Sequence, residues 1–150
     1  MANYCIINPS NGPVIIQLIV DNGGQTGAKF WLMSKINGQW QPVEKHSGAS
    51  DPNTGILTIS LDENPVNMEG MALTWVLNTC SRIPGAENLV IKIIFLQNGI
   101  KCKTTTDIRY SGSYPQCSDG KMGQNKGDIF LTLVTNDQNE KLWQIIEAEG

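Results

Sequence analysis

Apolar residues recur at alternate positions over short stretches, and each stretch closes in a cluster of Gly, Pro, Asn or Asp. Such alternation sends neighbouring side chains to opposite faces of an extended backbone, so it predicts strands that bury one face. The pattern places strands at Tyr4–Asn8, Val14–Val20, Ala28–Ser34, Gln39–Glu44, Ile56–Leu61, Met71–Asn78, Leu89–Gln97, Ile100–Ile108 and Asp128–Thr135. No long segment has the 3.6-residue period of an amphipathic helix. Short strands on turn-rich spacing predict an all-β fold: an antiparallel β-sandwich of about eight to nine strands, jelly-roll or immunoglobulin-like, in one domain spanning 1–150.

Parity assigns the faces. Leu57, Ile59 and Leu61 oppose Thr58 and Ser60, and Met71, Leu73, Trp75 and Leu77 oppose Ala72 and Thr74. After Gly99, an apolar side of Ile100, Cys102 and Ile108 opposes a wet one of Lys101, Lys103, Thr105 and Asp107. Val14–Val20 and Leu89–Leu96 are apolar on both faces apart from one polar residue each, which predicts central strands covered on both sides. Trp31 and Trp75, within strand patterns, are expected to pack in the core or on a sheet face.

Asn98-Gly99 and Asn37-Gly38 predict hairpins, because Asn-Gly tolerates the positive φ angles of a type I′ turn. Pro52-Asn53-Thr54-Gly55 predicts a third turn. The glycine-rich run 22–27 leads into a strand pattern, so it offers no helix N-terminus to an anion and reads as a hairpin turn. Val14–Gly23 can be laid on Val90–Gly99 with Val, Ile, Asn and Gly identical, a likeness that any two buried strands ending in Asn-Gly would share. The stretch from Tyr110 to Gly127 is expected to be a long loop of the functional or mobile kind. In the tail, the apolar spacing of Leu142 to Glu147 fits a short C-terminal helix and a last strand equally well.

Eleven Lys and Arg against fourteen Asp and Glu give a net charge of −3 without a run of one sign. Nucleic acid needs a basic stripe, so it is not expected as a partner. Lys101 and Lys103 read as a solvated strand face. No apolar run approaches the length of a membrane-spanning helix. The first residues lack the basic and apolar regions of a signal peptide, so a cytoplasmic location, or release without a classical signal peptide, is the expectation. Cys5, Cys80, Cys102 and Cys117 form no CxxC pair; reduced thiols are expected, with a Cys102–Cys117 bridge as the exception in an oxidising space.

Candidate chemistry is thin. His46, the one histidine, reads as a loop residue with no nucleophile beside it, so no catalytic residue is assigned and no enzyme is expected. Asp51 to Gly55, and Asp119 with Asn125 and Asp128, put oxygen ligands into turns, but neither stretch has the acidic spacing of a calcium loop. No cofactor and no metal is assigned. What remains is a surface rich in asparagine, fourteen in all, with Trp40, Tyr110 and Tyr114 beside polar, glycine-rich loops. Aromatic faces stack on sugar rings while amides and carboxylates fix hydroxyls. The expected function is therefore a non-enzymatic, lectin-like binding module with Trp40, Tyr110, Tyr114, Asp119, Asn125 and Asp128 as its site and a glycan, or another protein, as partner. The alternatives are a self-assembling structural protein, hence a homo-oligomer, and a membrane-active, toxin-type sandwich.

Overall fold

In the computed structural model, which describes residues 3–21, 23–84 and 88–134, the alternating segments form ten strands. They are β1 (Tyr4–Ile7), β2 (Ile15–Val20), β3 (Gly24–Ile36), β4 (Gln39–Ala49), β5 (Ile56–Ser60), β6 (Ala72–Ser81), β7 (Leu89–Gln97), β8 (Ile100–Lys101), β9 (Ile108–Gly112) and β10 (Gly123–Leu133). One sheet, A, has the order β1-β10-β6-β3-β4; the other, B, has the order β5-β2-β7-β8, with β9 also paired to β7. Neighbours run antiparallel except β1, which lies parallel to β10. The tail from 135 onward, where a helix or last strand is expected, lies outside the described residues.

The two inner faces close over one core. Ile16, Leu18, Ile91, Ile93 and Phe95 from sheet B meet Phe30, Leu32, Leu73, Trp75, Leu77 and Leu131 from sheet A, all buried. Buried polar groups are paired, as a low-dielectric interior demands. Gln97 accepts from the Asn8 amide at 3.0 Å and donates to the carbonyls of Asn8 at 2.8 Å and Gly12 at 3.0 Å. The hydroxyls of Thr26 and Thr79 bond at 2.8 Å.

Both Asn-Gly hairpins form: Asn98 and Gly99 have φ of 50° and 74°, and Asn37 and Gly38 have 52° and 79°, the double positive φ of a type I′ turn. At 51–55, Asp51 Oδ1 accepts from the amides of Asn53 at 2.8 Å and Thr54 at 3.0 Å, so its carboxylate shapes the turn.

Several expectations are corrected. Ile100–Ile108 is not one strand: β8 covers two residues, and the chain then leaves β7 to bond with β1, through Ile6 N to Lys103 O and Thr105 N to Tyr4 O, both 2.9 Å. The 110–127 stretch is not a long loop, because β9 runs through Gly112 and β10 begins at Gly123. The glycines after β2 make no hairpin; the chain crosses there from sheet B to sheet A. That crossing also separates β2 from its sequence echo β7, which turns back within its own sheet. β2 and β7 are central, as expected, but no third sheet and no α-helix among the described residues covers their outer faces. Ile15, Ile19, Ile94 and Leu96 are half-buried there.

The cysteines also differ from expectation. Cys117 is bonded to Cys80, because the loop after β9 runs back along the end of β6, where the Ser81 amide donates to Pro115 O at 2.7 Å. Cys102 lies instead beside Cys5, and these two buried thiols are free.

Candidate functional site

β10 separates two open grooves. One, of about 260 Å³, lies in the gap between the sheets, where Tyr110 of β9, Asn3, Asp107, Arg109 and the β10 residues Lys126 and Asp128 converge. The other, wider and shallower at about 370 Å³, lies on the outer face of sheet A and holds Trp31 of β3 with Thr74, Lys126 and Asp128. Lys126, Gly127, Asp128 and Trp75 line both.

Gly127 makes this junction possible. A Cβ there would lie 2.5 Å from Tyr110 Oη and 2.7 Å from Trp75 Cζ2, so only glycine lets the Trp75 ring press against the β10 backbone. Trp75 Nε1 donates to Tyr110 Oη at 3.0 Å, and the Tyr110 hydroxyl donates to Lys126 O at 3.2 Å. The phenol is thereby held at the mouth of the gap with its ring half-exposed.

Of the six residues singled out from sequence, Tyr110 and Asp128 meet in the groove between the sheets. Tyr114 and Asn125 form a separate pair: Asn125 Nδ2 donates to Tyr114 Oη at 2.7 Å, and the Tyr114 ring covers Gly123. Asp119 is exposed in a 3-10 turn beside Cys117. Asn125 and Asp128 lie three residues apart on a strand and face opposite sides, so with Asp119 they do not converge on an ion. Trp40 stands on the outer face of sheet A at the start of β4, 41% exposed, 6.0 Å from the Phe130 ring, which is 5.9 Å from Tyr4.

Trp31 belongs to the site although sequence reasoning placed it in the core or on a packed face. Its neighbours Phe30 and Leu32 are buried, so parity turns Trp31 outward beside Lys29 and Met33; that alternation was the available signal. Lys45 Nζ sits 5.7 Å from the Trp31 ring centroid, a cation–π contact that steadies the indole.

His46 is not a loop residue. It lies in β4, and its Nε2 bonds to Glu44 Oε2 at 2.5 Å. Glu44 also accepts from the Asp62 amide at 2.7 Å and the Glu63 amide at 2.9 Å. Burial pushes this carboxyl up, yet the bonds from His46, Asp62 and Glu63 outweigh it and hold Glu44 below the usual carboxylate range. Glu44, His46 and Asp62 bring three ligand atoms within 4.8 Å of one another, but Glu44's oxygens are occupied in clamping the 62–63 turn to β4.

Compared with known protein families, characterised proteins and solved structures, the chain matches none.

Proposed function

We propose that the chain is a ligand-binding β-sandwich that takes a carbohydrate across β10, between Trp31 and Tyr110. The observation that carries this reading is the flanking of one charged strand segment, Lys126 to Asp128, by two half-exposed aromatics in continuous open grooves. Rings of this kind stack on the apolar face of a sugar, while Asp128, Asn3 and Lys126 offer acceptors and donors to its hydroxyls. The Cys80–Cys117 bridge supports work in an oxidising space.

A glycan array followed by titration calorimetry tests the reading. Trp31→Ala and Asp128→Asn are each expected to weaken binding by about tenfold or more, the loss of one aromatic or charged contact. Trp40→Ala separates this site from the Trp40–Phe130–Tyr4 row. Binding to no glycan, or binding indifferent to both site substitutions, would overturn it.

A second reading, self-association, is favoured by the uncovered aliphatics Ile15, Ile19, Ile94 and Leu96 on sheet B, since exposed apolar faces mark contact surfaces. Light scattering over a range of concentrations decides it: a constant monomer mass removes the reading.

A further inference from the structure

Next to the groove between the sheets, with which it shares Asp107 and Arg109, sheet B carries an arrangement that the fold alone disfavours. On the β7–β9 ladder, Lys92 stands directly opposite Arg109, and like charges directly opposite on one face of an antiparallel pair destabilise it. Lys101 enters the same pocket from β8, which pairs with the other end of β7 at Leu96. β8 and β9 leave Ile94 unpaired between them, and the resulting pocket of about 100 Å³ lies over Ile94, with Thr104 on its wall. Three cations thus surround one small opening in a chain of net charge −3. Among the described residues none of the three forms an ion pair with a carboxylate; Asp107, at the rim, is the one acidic group lining the pocket.

We propose that this pocket binds a tetrahedral oxyanion, a phosphate or sulfate ester group. Such a ligand removes the repulsion between Lys92 and Arg109. The planar guanidinium of Arg109 suits two parallel hydrogen bonds to adjacent oxygens, the two ammonium groups supply point charges, and the Thr104 hydroxyl is a further donor. The aliphatic floor lowers the local dielectric and strengthens each of these contacts. The basic and hydroxyl groups converge on an opening of about 100 Å³, so the unit they recognise is the anionic group itself.

The test is an NMR titration of the full chain with inorganic phosphate and, separately, sulfate, against chloride at matched ionic strength. Saturable shifts confined to amides near Lys92, Lys101, Thr104 and Arg109 are expected, absent with chloride. The double substitution Lys92→Gln with Arg109→Gln should weaken phosphate binding about tenfold or more, as loss of two charge-assisted partners implies. The same variant should hold or raise its thermal midpoint in phosphate-free buffer, because it removes an unfavourable charge pair; a merely structural role for these side chains predicts a fall. Shifts that do not saturate, that appear equally with chloride, or that persist in the variant overturn the proposal. Phosphatidylcholine vesicles with and without phosphatidate identify the source. Phosphatidate-dependent co-sedimentation lost in the variant assigns the anion to a lipid headgroup, whereas phosphate binding without vesicle binding assigns it to a soluble ester.

Discussion

Trp75, on the inner face of sheet A, donates its indole N–H to the hydroxyl of Tyr110 on sheet B at 3.0 Å, which makes this bond a polar strut across the open edge of the sandwich. The indole is 2% exposed, so its N–H loses a protein acceptor within a largely buried setting once the phenol hydroxyl is gone. Tyr110→Phe keeps the ring and removes both this acceptor and the donor to Lys126 O. It is expected to cost about 1–3 kcal/mol, the penalty for stranding a buried donor. Urea unfolding with an unchanged m-value checks it. An unaltered midpoint would mean that Trp75 finds another acceptor.

Gly127→Ala tests the same junction from the other side. Its Cβ would meet Tyr110 Oη and Trp75 at distances real side chains do not adopt. One ring must move, at a cost of about 1–3 kcal/mol for overpacking. A shift in Trp fluorescence together with a lower unfolding midpoint is the expected outcome, and glycan binding should fall with it because Tyr110 is displaced.

The cysteine pairing predicts a thiol count. Native protein should show no rapidly reacting thiol, because Cys5 and Cys102 are buried, and denatured unreduced protein should show two. Burial pushes the Cys5 thiol up and the hydrogen bond to Cys102 adds to this, which slows alkylation further. Replacing Cys80 and Cys117 together by Ala opens a cross-link between residues 37 apart and should destabilise by about 3–4 kcal/mol on the loop-entropy scale. Four thiols in the denatured, unreduced chain would contradict the bridge.

How far the chain could be read without coordinates follows from what is local. The Asn-Gly turns at 37–38 and 98–99 were legible because few other pairs accept two positive φ angles, and β2 and β7 were legible as central because, apart from Gln17, Lys92 and the closing Gln97, they are apolar on both faces. The break after Lys101 was not. Alternation continues to Ile108, but Cys102 to Asp107 alternate against β1 and the core rather than within the ladder of β7. Residues of the site could be named, Tyr110 and Asp128 among them, but their meeting depends on β9 and β10 belonging to different sheets, a matter of topology. The partner of Cys117 was illegible for the same reason: it depends on the path of the loop after β9, which no spacing encodes.

Glu44 sets a pH dependence whose sign is fixed by its hydrogen bonds. Its carboxyl is held below its ordinary value of 4.5 in the folded chain, chiefly by His46 and the Asp62 and Glu63 amides acting against burial. A depressed carboxyl binds its proton more weakly when folded than when unfolded, so its contribution is complete above about 4.5 and fades as pH falls through the lower folded value. Glu44→Gln keeps the shape but cannot match the charge-assisted bonds, and at pH 7 it should cost about 1–2 kcal/mol. The difference in urea midpoint between wild type and Glu44→Gln is therefore expected to be largest at neutral pH and to narrow as the solution is acidified below the ordinary carboxylate value. A difference that stayed constant from neutral pH into the acid range would show that the carboxylate charge is not what holds the 62–63 turn to β4.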